Sequence, residues 1–362
     1  MPLPVLDPAL YPAQLAEKIA RFKDDFAAFD VPEPAVFESA PLHYRLRVEF
    51  RVWHHGDAWD YAMFNPENPR EPVLMQEFAA ADAAICTLMP RLRAAILQRP
   101  ALNNRLFSVD FLATLSGEML VTLIYHRKLD ASWEAAAREL AETLQIGVIG
   151  RSKGQKLVID RDWVLESFAL NDRQLHYQQF EGSFSQPNGN VNRQMLGWAC
   201  AQAAPLGGDL LELYCGNGNF TIALAPLFGK VLATEVSKSS VKAALYNLEA
   251  NAVGNTAIVR MSSEEISAAL SGRETFQRMQ GIDLAAHAFS TIFLDPPRSG
   301  LDPATLELAA GFDNILYISC NPQTLRDNVT ALQATHRIAA SAVFDQFPYT
   351  HHLECGLLLQ RR

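Results

Sequence analysis

The sequence predicts an α/β protein in two parts: an α+β region over residues 1–180 and a doubly wound parallel-sheet domain over 181–362. Three observations lead there. Residues 42–53 alternate strictly between apolar and polar side chains, the period of a half-buried strand. Beyond residue 180, short apolar runs and helical patterns take turns, as in a sheet covered by helices on both faces. The first of those runs is followed by a glycine-rich turn, Gly216-Asn217-Gly218, and then by a helical pattern.

The elements follow in order. Leu15, Ile19, Phe22 and Phe26 recur at helical spacing and predict an amphipathic helix over 12–29. In 42–53, Tyr44, Leu46, Val48, Phe50 and Val52 share one face, and Arg45, Arg47, Glu49 and Arg51 the other. The turn His54-His55-Gly56-Asp57 leads into a second strand over 59–64, a hairpin. Residues 73–98 read as helical, with Pro90 as a kink or break. Strands over 105–112 and 119–125 join at Ser116-Gly117, and a helix covers 133–144. After residue 190 the pattern gives a helix over 191–203, strands over 209–214 and 231–236, a helix over 238–252, and strands over 257–261, 291–294, 315–319 and 353–359.

With 362 residues, 49% hydrophobic and 20% charged, the chain is long and apolar enough for two packed domains. Its net charge is −9, shared as −5 over residues 1–180 and −4 over 181–362. Bulk charge therefore does not point to nucleic acid, and such a partner would need local basic patches. The longest uncharged run, 213–229, contains glycines, asparagines and a proline, so no membrane span is expected. The opening residues lack a basic and an apolar region, so no signal peptide is expected. The five cysteines form no C-x-x-C pair. Disulfide, zinc and iron–sulfur frameworks are disfavoured, no metal site is expected, and a cytoplasmic location follows.

Four places carry chemistry. The turn at 216–218 lacks the third glycine of a dinucleotide fingerprint, since Thr221 stands there. Glu212 precedes it, and Glu235 ends the next strand, where a carboxylate accepts ribose hydroxyls. This set suits S-adenosylmethionine; NAD and a plain strand-to-helix turn are the alternatives. Leu-Asp-Pro-Pro-Arg-Ser-Gly, 294–300, projects Asp295 from a strand end, and its alternative is a rigid turn with a solvated carboxylate. Cys320 follows a strand and precedes a helix opened by Pro322. There the helix dipole favours a thiolate nucleophile; the alternative is an inert thiol, the reading given to Cys86, Cys200, Cys215 and Cys355. Glu354 enters the apolar strand Cys-Gly-Leu-Leu-Leu and suits a general base, or else a salt-bridged strand start. His351 and His352 could orient it or meet phosphate.

In order and spacing, FSQPN (184–188), ELYCGNGNF (212–220), Glu235, LDPPRSG (294–300), YISCNPQTL (317–325) and FPYTHHLE (347–354) resemble the RNA uracil-5 methyltransferases. HYRLRVEFRVWHHG (43–56) and IGRSKGQKLVI (149–159) resemble the branch acting on tRNA. The chain shows neither the iron–sulfur cysteines nor the extra N-terminal barrel typical of the ribosomal-RNA members. The resemblance implies a Rossmann-like class I S-adenosylmethionine-dependent methyltransferase domain with an α+β RNA-binding domain before it. It implies S-adenosylmethionine contacts at Gln186, Tyr214, Asn219, Glu235 and Asp295, with Cys320 as nucleophile and Glu354 as base. The implied substrate is uridine 54 in the T arm of tRNA, with other T-loop-like RNA and ribosomal RNA as alternatives. Arg45, Arg47, Arg51, Arg151, Lys153 and Lys156 are then candidate phosphate contacts, or a solvated hairpin face. An inactive RNA-binding module is the contrasting reading.

Overall fold

In the computed structural model the described residues are 6–56, 58–65 and 68–362, so the first five residues and Asp57 of the expected hairpin turn lie outside them. The chain packs as two compact units. One is built mainly from Ala40–Ser167 and Gln179–Gly189, the other from Leu10–Ser39, Phe168–Gln178 and Asn190–Arg362. A single cut near residue 180 therefore differs from the packing. The N-terminal helix α1 (Tyr11–Asp25) counts with the second unit. The reason is its apolar stripe: Phe22 and Phe26 are buried in one cluster with Leu211, Ile292, Ile315 and Leu357. Strand β1 (Ala35–Phe37) follows it.

The first unit is a seven-stranded sheet. It contains β2 (Arg47–His55), β3 (Ala58–Asn65), β4 (Asn68–Met75), β5 (Leu106–Ala113), β6 (Met119–Tyr125), β7 (Gly147–Ser152) and β8 (Gln155–Val158), in the order β4-β3-β2-β5-β6-β7-β8. Neighbours run antiparallel except β6 and β7. The alternation at 42–53 holds, with Tyr44, Leu46, Val48, Phe50 and Val52 all buried. Helices α2 (Ala83–Leu97), α3 (Pro100–Asn103) and α4 (Ala131–Leu144) supply the rest of the core, with Ile85, Leu92, Trp133 and Leu140 fully buried. The helical reading of 73–98 is corrected at its start: β4 runs to Met75, and α2 begins only after Asp82 accepts a hydrogen bond from Ala84 N–H. Pro90 is exposed inside α2 and does not end it.

Strands β9 (Trp163–Leu170) and β10 (Arg173–Phe180) form a separate two-stranded sheet. The second unit then runs α5 (Gly189–Ala203), β11 (Asp209–Leu213), α6 (Asn219–Leu224), β12 (Val231–Thr234), α7 (Lys238–Ala250), β13 (Thr256–Val259), α8 (Ser263–Leu270), β14 (Phe289–Leu294), α9 (Pro303–Ala310), β15 (Asn314–Ser319), α10 (Pro322–Leu332), β16 (His336–Phe344) and β17 (Glu354–Arg361). Its eight-stranded sheet has the order β1-β16-β17-β15-β14-β11-β12-β13. The order reverses direction at β11, which has β12 on one side and β14 on the other, and ligands of such sheets bind at the carboxyl ends near that switch. The sheet is mixed rather than all parallel. β17 runs antiparallel between β15 and β16, so its first residue lies at the edge where the parallel strands end. Ser319 of β15 pairs with Cys355 of β17.

Candidate active site

Four of the strands that end at this edge, β11, β12, β14 and β15, lead into the candidate residues. After β11 the chain turns through Tyr214, which holds a left-handed backbone at φ +62°, then Gly216 at +57° and Gly218 at +82°. Three left-handed residues within five reverse the chain into α6 on backbone freedom that two glycines supply at little cost. A Cβ at Gly218 would meet Ala244 of α7 only at ordinary contact distance, 3.5 Å, so it is the positive φ that calls for glycine there. Asn219 opens α6, and its amide pairs reciprocally with that of Asn192 at 2.9 and 3.0 Å. Tyr177 donates to the carbonyl of Asn219 at 3.0 Å.

Glu235 follows β12. Its carboxylate accepts from Gly216 N–H at 3.0 Å and from Ser237 N–H at 2.7 Å, so it is fixed in place with lone pairs to spare. Val236 beside it is 64% exposed, an apolar surface the sequence did not single out.

Asp295 follows β14 and Cys320 follows β15, with Asn321 capping α10 by accepting from Gln323 N–H. Because Ser319 pairs with Cys355, Cys320 and Glu354 are the next residues along neighbouring strands, and the Glu354 carboxyl acts on the thiol. Glu354 is only 6% exposed. Burial, then Asp295, raises its carboxyl to about 8, against the opposing pull of Arg298. Burial raises Asp295 to about 7.

The electrostatics of the thiol correct the sequence reading. The helix N-terminus was expected to favour a thiolate. Instead burial, then Glu354 and Asp295, pushes Cys320 up to about 11, with Arg298 opposing them. Two carboxyls and a desolvated pocket outweigh one helix end. Arg298 was quoted only as part of a motif, yet it is the cation that acts on both Cys320 and Glu354. Glu212 lies on β11, beneath the glycine turn. Its Oε2 is buried without a hydrogen-bond partner among the described residues, and burial raises the carboxyl to about 8. His352 is pushed down to about 4 by burial, then by His351 and Arg298, so it is a neutral ring at physiological pH. Cys200, Cys215 and Cys355 are buried, as an inert reading requires, and Cys86 is half-buried.

The family model for tRNA (uracil-5-)-methyltransferase matches residues 10–362. The chain belongs to this family. It is 68% identical over 362 residues to the tRNA/tmRNA (uracil-C(5))-methyltransferase of Dechloromonas aromatica (strain RCB), covering all of both chains. It is 54% identical over 358 residues to the protein of that name from Pseudomonas entomophila (strain L48), covering 99% of each. Among solved structures, the Pyrococcus abyssi tRNA (uracil-54, C5)-methyltransferase in complex with S-adenosyl-L-homocysteine matches with a TM-score of 0.71 and 20% identity. That match covers 96% of this chain and 83% of the other and bears on the fold.

The remaining residues expected of a tRNA (uracil-5-)-methyltransferase lie in the first unit. Gln186 is half-buried in its 179–189 segment. The six candidate phosphate contacts divide. Arg45 is half-buried and donates to Arg47 O at 2.9 Å, and Arg47 donates to Ser183 O. Arg151 is bound bidentately by Glu181 at 2.7 and 2.6 Å. Lys156 meets Asp162 at 2.7 Å and Glu181 at 3.3 Å. These last two charges are already neutralised. Lys153 and Arg51 are exposed or nearly so. The Arg51 guanidinium sits 4.1 Å above Phe107, which stacks on His126 at 3.8 Å, beside a pocket of about 370 Å³ also lined by Val52, His54 and Arg105. The sequence reading missed Phe107 and His126. Its sequence parity puts Phe107 with Val109 and Phe111, and only a register shift between Leu106 and Ser108, which local periodicity does not announce, sets it apart from that buried face.

No described helix is long and apolar enough to cross a membrane.

Proposed function

We propose that this chain methylates C5 of a uridine in tRNA, at position 54 of the T loop, through a covalent bond between Cys320 and C6 of the base. The observation that carries the reading is the side-by-side placement of Cys320 and Glu354 at the carboxyl edge of the sheet, which the antiparallel β17 produces.

The residues fit S-adenosylmethionine. Its sulfonium and ammonium are cations, and the orphaned Glu212 Oε2 with the nearby Asp295 offers buried acidic acceptors to a cation. Glu235, held by two backbone donors, suits a ribose diol, and exposed Val236 suits the face of an adenine. Tyr214 and Asn219 complete the proposed contacts within this unit. When bound, the cofactor supplies C5 with a methyl group activated by its sulfonium, leaving as the neutral thioether.

The protein's residues then act as follows. The Cys320 sulfur, its proton released to solvent as the base docks, forms a bond to C6, and the C5=C6 electrons move onto the ring carbonyl as an enolate. This makes C5 nucleophilic. Once C5 carries the methyl group, Glu354 takes its proton; the released electron pair re-forms C5=C6 and breaks the sulfur–C6 bond. Glu354 does this in its ionised form; a carboxyl raised to about 8 is a stronger base than an ordinary one, so the elimination step should quicken as pH rises toward 8. The target base must leave its stack, at a cost of a few kcal/mol. Arg51 over Phe107 and the Phe107–His126 stack suit unpaired bases and backbone phosphate, the usual features by which RNA loops are held.

The test is nucleoside analysis of tRNA from cells lacking this gene. Loss of 5-methyluridine is expected, and unchanged 5-methyluridine would refute the assignment. Methyl incorporation in vitro into tRNA, tmRNA and 23S RNA separates the substrates. The curated relatives' names include tmRNA, which favours a second T-loop-like substrate over ribosomal RNA.

A further inference from the structure

Helix α1 touches the loop that leads to Glu354 through one residue per turn. Gln14 donates to Thr350 O at 2.8 Å and accepts from Tyr349 N–H at 3.2 Å. Lys18 is buried, donates to Phe347 O at 2.9 Å and pairs with buried Asp345 at 2.6 Å. Arg21 donates to His351 O at 2.9 Å, and the Tyr11 ring lies 6.0 Å from that of Tyr349. Positions 11, 14, 18 and 21 form one stripe of a helix. The stripe grips backbone atoms of four residues within Phe347–His351, three positions before the carboxyl. Tyr349 holds a left-handed backbone at φ +60°, a conformation that a non-glycine residue keeps only where its surroundings fix it. Further along α1, Asp25 accepts from Gln323 at 3.3 Å, on the helix that follows Cys320.

We propose that α1 is a positioning element for proton abstraction, with Gln14 and Lys18 holding the Phe347–His351 backbone so that Glu354 is presented to the C5 proton. This rests on the reading of Glu354 as the base. Neither residue touches substrate. They set where the loop ends, and the loop sets the carboxyl. Loss of the grip leaves Cys320 free to add to the base and leaves the elimination step slow.

The experiment uses the full chain with unmodified tRNA and S-adenosylmethionine. Gln14→Ala is the principal variant, because Gln14 is half-buried and bonds only backbone atoms. We expect kcat to fall roughly tenfold or more, KM for the cofactor to stay within twofold and the melting temperature to stay near that of the parent. We also expect a covalent protein–RNA adduct to accumulate on denaturing gels. Gln14→Glu, which keeps the acceptor for Tyr349 N–H, should recover part of kcat. Glu17→Ala, on an exposed position of the same helix, should match the parent. Parental kcat with no added adduct in Gln14→Ala, while Glu354→Gln does trap adduct, overturns the brace and leaves the base assignment standing. Absence of adduct in Glu354→Gln itself overturns the base assignment, and the brace with it.

Discussion

Replacing Glu354 by glutamine tests the site's electrostatics apart from its catalysis. The carboxyl is 6% exposed and is raised from 4.5 to about 8, chiefly by burial. A shift of that size corresponds to about 5 kcal/mol of preference for the protonated form. The folded chain binds this proton more tightly than the unfolded chain does. Its contribution to stability is therefore present below about pH 4.5 and is lost as pH rises through about 8. Glutamine has the same shape and does not titrate. Urea unfolding at pH 5 and pH 8.5 should show the variant gaining on the parent as pH rises. The full gain is bounded at about 5 kcal/mol, and about half of it is expected once local relaxation and water entry are allowed for. Glu212 titrates in the same range in both proteins, so the difference between the two reports residue 354 together with its coupling to Asp295 and Cys320. Equal pH dependence of the two proteins would refute a desolvated carboxyl at this position. The same variant, given tRNA and cofactor, should accumulate the covalent adduct.

Cys320→Ala should abolish methyl transfer by roughly 10³-fold or more while cofactor binding by calorimetry stays within twofold; residual turnover near the parent's would discard the nucleophile. Glu235→Ala should weaken cofactor binding by about 10–100-fold, the worth of one or two charge-assisted hydrogen bonds, and unchanged binding would remove it from the site. Lys18→Met strands the Asp345 carboxyl in the core and should cost about 3–5 kcal/mol in urea unfolding, whereas Lys18→Met with Asp345→Leu should regain most of it. Arg51→Ala should lower the salt slope of tRNA binding by about 1, and Arg151→Ala should leave it nearly unchanged, because Glu181 already neutralises that guanidinium.

What the sequence could show was set by how local each feature is. Gly216 and Gly218 with the helix after them are a strand-end turn whose whole physics lies in a few consecutive residues, and they sit where the pattern put them. The same holds for Glu235, Asp295 and Cys320, each at the end of a strand that its own apolar run predicts. Glu354 was legible as a carboxyl entering an apolar strand, but not as the neighbour of Cys320. That depends on β17 entering antiparallel between β15 and β16, a pairing that local periodicity does not encode. The strand over 336–344, which completes this insertion, is not announced by the sequence pattern. Helix α1 shows the same limit. Its apolar spacing announced a buried stripe without saying against what, and Lys18 inside that stripe is buried because a carboxylate 327 positions away pairs with it. The thiol carries the point furthest. Its place at a helix N-terminus is local and predicted a depressed pKa, whereas desolvation and two carboxyls brought in by tertiary structure raise it. The motif therefore singles out the thiol proposed as nucleophile, and the assembled sheet edge sets how readily that thiol gives up its proton. Activity in this fold should consequently be sensitive to substitutions that shift the charge on Glu354, Asp295 or Arg298 even where Cys320 and its own motif are untouched.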